Sequence, residues 1–259
     1  MRFQNTARTL VALSLASTAG VAAFVGRDRS HAESVHAAPA QKIAAPSNGP
    51  LTVIELFQSQ GCSSCPPANA NVNALAASRS DVLALSFGVT YWDKLGWKDT
   101  FAKPEYTARQ WAYARARGRG NVWTPQVYVN GRDDVVGANP AQLTAAVARA
   151  KPLAATLRVA QGRVAVASGA APVGGADILL VRYEPRAIDV PIRAGENGGR
   201  TLPHRNIVRQ LLTIGRWTGS AISVPLPVAP RPGLAQAVLL QRGAGGPIIA
   251  AAKVNERPL

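Results

Sequence analysis

From residue 51 onward the chain alternates between short apolar runs and stretches with helical spacing. LTVIELF (51–57), interrupted only by Glu55, and VLALSFGV (82–89) are runs of strand formers. Between them PANANVNALAASR (67–79) reads as a helix opening near Pro66 and Pro67, where a missing N–H costs nothing. Strand, helix, strand predicts a parallel pair with a right-handed crossover. KPEYTARQWAYARARG (103–118) carries apolar and aromatic residues at helical spacing and closes on basic residues and a glycine, which predicts a second helix. QVYV, the Asn130-Gly131 turn and a strand around Val135 and Val136 predict a hairpin, and the charged RDD after the turn suits a loop longer than two residues. A closing helix is expected from Pro140 to Ala150.

Beyond residue 151 the rhythm changes. TLRVAQGRVAVASG, ADILLVRYE, AIDVPIRAG, AISVPLPV, AQAVLLQRG and PIIAAAKV are short alternating or continuous apolar runs separated by Gly and Pro, the pattern of a β-sandwich. NIVRQLLTIG fits helix or strand, and its neighbours favour strand. Gly195-Glu196-Asn197-Gly198-Gly199 reads as a hairpin turn. The expected organisation is an α/β unit over 51–150 and an all-β, sandwich-like unit over 151–259.

The first fifty residues read differently. Arg2 and Arg8 precede an uncharged, mostly apolar run from Leu10 to Val25, and Ser30-His31-Ala32 suits cleavage, so residues 1–32 have the layout of a secretory signal. The run is short for a membrane span of roughly 20 residues, which favours a cleaved signal, while the charged GRDR behind it suits an uncleaved anchor. Residues 33–50, rich in Ala, Pro, Ser and Gly without a period, read as a linker. The implied address is periplasmic or secreted, with membrane anchoring by an uncleaved N-terminus as the alternative; disulfides form and persist there.

The net charge of +15 resides mostly in the second half. Its arginines are spread singly through apparent strands and form no runs of like charge, which argues against nucleic acid as a partner.

The chain's two cysteines, Cys62 and Cys65, stand three apart in FQSQGCSSCPP, at the turn between the first strand and the first helix. A zinc site needs four ligands, and beyond the two cysteines only His36 and His204 lie after the leader, with no histidine in 51–150, so no metal is expected. A copper carrier fits poorly, with Met1 as the sole thioether. A structural staple gains from long loops, whereas this loop is very short. A redox pair fits better, because the helix mouth favours a thiolate. In that reading Cys62, nearer solvent, attacks and Cys65 resolves, with a purely structural pair as the alternative.

VIELFQSQGCSSCPPANANVNAL, FGVTYWDKLGWKD, WTPQVYVNG and IRAGENGGRTLPHRNIVR together resemble the secreted bacterial thioredoxin-like family catalogued as domain of unknown function 1223, over nearly all of residues 51–259. The resemblance implies an α/β thioredoxin-like domain at 51–150, followed by the sandwich-like domain. It also implies a cis bond at Thr124-Pro125 lying against the cysteine pair, where its backbone would meet an extended substrate chain. Glu55, which by strand alternation shares a face with Val53 and Phe57, is a candidate proton relay for Cys65, or else an acid paired with arginine or reaching solvent.

In YWDKLGWKDTF (91–101), Trp92, Trp97 and Phe101 are candidates for an apolar platform beside the sulfur, with Asp93 and Asp99 as polar orienters. The same aromatics can instead cap the core under a long loop. His204 has no sequence partner that would make it catalytic. The function read from this is an extracytoplasmic thiol-disulfide oxidoreductase, without cofactor, acting on protein thiols or disulfides and exchanging electrons with a membrane redox partner. The competing reading is a redox-inert binding module of the cell envelope.

Overall fold

Strand β1 (Thr52–Gln58) and strand β2 (Val82–Gly88) pair in parallel, from Thr52 opposite Val82 to Gln58 opposite Gly88, and helix α1 (Cys65–Ser78) makes the crossover. This computed structural model describes residues 51–228 and 232–254; the expected signal or anchor and the linker lie outside the described residues. Helix α2 (Pro104–Ala116) follows, then the antiparallel hairpin β3 (Gln126–Val129) and β4 (Asp133–Val135), then helix α3 (Pro140–Ala148). Asn130 and Gly131 both have positive φ, the backbone that a tight hairpin turn demands, and Arg132 completes a loop longer than two residues. Asn139 caps α3 by accepting from the N–H groups of Ala141 and Gln142.

The second half does not form a separate sandwich. Strands β7 (Ala176–Glu184), β10 (Ile207–Trp217), β12 (Ala235–Gln241) and β13 (Ile248–Val254) join the first half in one eight-stranded mixed sheet, in the order β13-β12-β7-β10-β2-β1-β3-β4. This corrects the expected class of a thioredoxin-like α/β domain followed by an all-β sandwich. The seam is the parallel contact of β10 with β2, Ile207 opposite Ser86, where the Ser86 N–H donates to Asn206 O. The cause lies in β2 itself. All seven of its residues are buried, and a strand of that kind needs neighbours on both edges. One edge goes to β1; the other is met by a strand about 120 residues later.

The shared sheet buries one continuous face across both halves, with Val53, Phe57, Phe87, Val181, Val208 and Leu239 in a single cluster together with Tyr106 and Tyr113 of α2. On the opposite face α1 and α3 cover Ile54, Leu56 and Val127. Further along that face, a three-stranded sheet of β11 (Ile222–Pro225), β6 (Arg163–Val166) and β5 (Leu157–Ala160) covers Ile178, Leu180, Val238 and Leu240. The alternating pattern of the second half therefore does report sheet-on-sheet packing, but onto a sheet begun by the first half.

A two-stranded ribbon, β8 (Ile188–Pro191) with β9 (Thr201–His204), stands apart from both sheets. Its Val190 and Leu202, with Ile192 just after β8, pack against Trp97 and Phe101. That packing carries the turn between the two strands to the cysteine loop.

Candidate active site at the Cys62–Cys65 disulfide

Cys62 and Cys65 are joined in a disulfide with their Cα atoms 5.4 Å apart. Cys65 is the first residue of α1, and Pro66 and Pro67 sit in the first turn, where their missing N–H groups leave no carbonyl unpaired. The loop is fixed from within by Cys62 N to Ser59 O (3.1 Å) and Cys65 N to Cys62 O (3.2 Å). Cys62 does not lie nearer solvent than its partner: their exposures are 0% and 1%, and the exposed residues are Ser63 and Ser64 between them. Ser64 Oγ lies 3.3 Å from Cys62 Sγ and donates to the carbonyl of Thr124, whose bond to Pro125 is cis.

The tryptophans support these loops through their indole N–H groups. Trp92 Nε1 donates to Thr124 Oγ1 (2.7 Å), and Trp97 Nε1 donates to Gln60 Oε1 (2.9 Å). Asp99 accepts from Gln60 N at 2.7 Å, and also from the N–H groups of Phe101 and Ala102. Burial pushes the Asp99 carboxyl up to about 6, against the pull of those N–H donors. Asp93 accepts from Asp99 N at 3.1 Å, one step further from the sulfurs.

A second clamp arrives from the ribbon. Asn197, wholly buried, donates through Nδ2 to the carbonyls of Gln60 and Cys62, both at 2.9 Å. Glu196 Oε2 accepts from Ser63 N (3.0 Å) and Ser63 Oγ (2.6 Å), and these bonds hold its carboxyl below the usual range. Helix α1 has no acidic residue in its own first turn, so Glu196, 133 positions away in sequence, supplies the negative charge beside that helix terminus.

A family model described as "Protein of unknown function (DUF1223)" matches residues 53–241. The chain belongs to the DUF1223 family. A crystal structure of the protein AGR_C_4864 from Agrobacterium tumefaciens is similar at 33% identity, covering 82% of this chain and 99% of that one, with a TM-score of 0.65. HBP35 of Porphyromonas gingivalis is similar in fold alone, at 13% identity and a TM-score of 0.50, over 83% of this chain and 81% of that one. No curated protein matches the chain.

In this DUF1223 protein Glu55 lies on the α2 face of the sheet, whereas α1 and its cysteine cover the other face. Its carboxylate is 2.8 Å from Arg109 Nε and accepts from the Tyr113 hydroxyl, so it is paired with an arginine and not directed at Cys65. Burial is the largest single influence on Arg109 and lowers its pKa, but the charge of Glu55, the neighbouring Tyr113 and the hydrogen bond to Glu55 together outweigh it and the net shift is upward.

The residues that sequence reasoning passed over are Asn197, Glu196 and His204. The glycine-rich turn announced a hairpin, and nothing in its spacing told where that hairpin would dock. His204 closes β9 at 2% exposure, neither ring nitrogen has a hydrogen-bond partner among the described residues, and burial holds its pKa down at about 4. Cys65 and His204 line one cavity of about 70 Å³, together with Ser59, Asn69, Asn73 and Leu202.

Proposed function

We propose that this protein is an extracytoplasmic thiol-disulfide oxidoreductase acting through Cys62 and Cys65. The observation that carries the reading is the disulfide between the chain's two cysteines at the start of α1, where the helix dipole favours the thiolate that reduction releases. Cys62 is the attacked and attacking sulfur, because its Sγ adjoins the exposed Ser64, whereas Cys65 lines the cavity it shares with His204.

In oxidation of a substrate, a substrate thiolate attacks Cys62 Sγ, the Cys62–Cys65 bond breaks, and Cys65 departs as a thiolate. A second substrate thiol, as thiolate, then attacks the mixed disulfide and leaves Cys62 reduced, so two electrons pass from substrate to the pair. Reduction of a substrate is the same path reversed. The partners are protein thiols or disulfides, and a membrane redox partner exchanges the two electrons. The leader-like N-terminus supports a periplasmic or secreted location.

Burial of both cysteines under Asn197 favours the competing reading, a redox-inert binding module. Equilibrating the protein with glutathione buffers and counting free thiols decides between them. A potential in the range of about −120 to −270 mV, with turnover of a model protein substrate, is expected for the oxidoreductase. A value below about −300 mV without exchange assigns the pair to a structural role.

A further inference from the structure

We propose that His204 is the proton acceptor for Cys65: when Cys65 resolves a mixed disulfide on Cys62, its thiol proton passes across the shared cavity to the His204 imidazole. The proposal rests on the oxidoreductase reading and adds a residue from the second half of the chain to its chemistry. Cys65 is the first residue of α1 and His204 the last of β9, yet both line the same cavity. Its volume of about 70 Å³ is enough to hold a bridging water.

The imidazole is nine-tenths buried and more, and both of its nitrogens are without a partner among the described residues. Buried polar groups are nearly always hydrogen-bonded, so an imidazole without such a bond among the described residues, lining one cavity with Cys65, needs an explanation. The ring makes an edge-on contact with Phe101, centroids 5.8 Å apart.

In the reductive direction His204 acts after the first exchange. A substrate disulfide has been attacked by Cys62, leaving Cys62 bonded to one substrate sulfur and Cys65 as a thiol. His204 takes the Cys65 proton, and the resulting thiolate attacks Cys62 Sγ. The Cys62–Cys65 bond forms, the bond from Cys62 to the substrate sulfur breaks, and the substrate leaves as a thiolate that takes up a proton. The pair is oxidised by two electrons and the substrate disulfide is reduced.

Electrostatics in the cavity permit this. Among its lining residues Cys65 and His204 are the titratable ones; the others are Ser, Pro, Asn, Ala and Leu. On neighbouring elements, Arg205 is turned to Pro185 O and Arg209 stacks on the Phe101 ring. With the disulfide closed no anion among the described residues shifts the imidazole, and burial keeps it neutral with a lone pair free to accept. Once a thiol stands opposite, proton transfer creates an adjacent thiolate and imidazolium, and each charge offsets the cost of burying the other.

The test uses the full chain carrying Cys62→Ser, which leaves Cys65 as the sole thiol. Its titration, followed by thiolate ultraviolet absorbance, is compared with and without His204→Phe. We expect the double variant to need about tenfold less acidity, one pH unit, to reach half-ionisation. In the otherwise native chain, His204→Phe should slow resolution of the mixed disulfide by about a hundredfold, the low end of what a placed base contributes. His204→Gln keeps a polar side chain of similar reach should Phe not be accommodated.

Without any variant, the imidazole nitrogen shifts of His204 should move on reduction of the disulfide. Unchanged Cys65 ionisation in a folded variant, or nitrogen shifts indifferent to reduction, overturns the proposal. Failure of the oxidoreductase reading looks different: the wild-type chain exchanges with no protein disulfide, whatever the ionisation of Cys65.

Discussion

Glu55 and His204 are both buried titratable side chains, and their surroundings are opposite. Glu55, at 0% exposure, is held by Arg109 and Tyr113, and Gln241 in turn bonds both of these. Every charge in that cluster has an answer. The Arg109 guanidinium also stacks on the rings of Phe87 and Tyr113, its centre 5.7 and 5.2 Å from their centroids. His204, at 2% exposure, has no hydrogen bond to either nitrogen among the described residues. The difference separates structural ionisation from available chemistry: a carboxylate bonded at both oxygens and paired with a guanidinium is held as an ion pair, whereas an imidazole without a partner among the described residues lines a cavity with a lone pair to offer.

The largest expected effect breaks the satisfied side of that comparison. Arg109→Met removes the countercharge and leaves a buried carboxylate facing a tyrosine, which should cost about 3–5 kcal/mol in urea or thermal unfolding. A loss below about 1 kcal/mol would mean that Glu55 is not held as an ion pair.

Two predictions sharpen the unsatisfied side through pH. The His204 pKa is depressed from 6.5 to about 4, so the unfolded chain binds the proton first as pH falls. The wild type should therefore lose about 3 kcal/mol of stability between pH 6.5 and 4 from this group, and a folded His204→Phe variant should lack that loss.

Asp99 works in the opposite direction over nearly the same window. Its carboxyl is raised from 3.8 to about 6, so the folded chain binds the proton first, and the stability this gives is full below pH 4 and lost as pH rises through 6. Asp99→Asn should abolish this dependence, of about 2–3 kcal/mol. Unfolding curves of both single variants across pH 4–7 check the two signs, and parallel profiles for the two would refute the assignment.

The smallest expected effect concerns the cover over the disulfide. Glu196→Ala removes both bonds to Ser63 and a negative charge beside the helix terminus, so reduction by a small thiol should become about threefold faster. Stopped-flow reduction measures this directly; an unchanged rate would show that the Asn197 bonds alone hold the cover shut.

What the sequence alone determined is everything with a local cause. The βαβ unit followed from two apolar runs flanking a helical stretch, the hairpin from Asn130-Gly131, and the starts of the first and third helices from Pro66 and Pro140. The cysteine pair was legible because its spacing is covalent and its position at a strand-to-helix turn is local. Strand β9 was missed, since TLPH holds a proline and beside it a single apolar residue, Leu202.

Only the tertiary structure decided how β2 finds β10, which joined the two halves in one sheet, and where the β8–β9 ribbon docks. The physical reason is that period-two alternation says which face of a strand is buried but not which strand stands beside it. For the same reason Glu55 drew attention as an acid in an apolar run although its partners lay 54 and 58 residues away, and His204 was passed over although chain folding set it in the cavity that Cys65 lines. A side chain's type is written in the sequence; whether its hydrogen bonds are met is a property of the neighbours that folding brings.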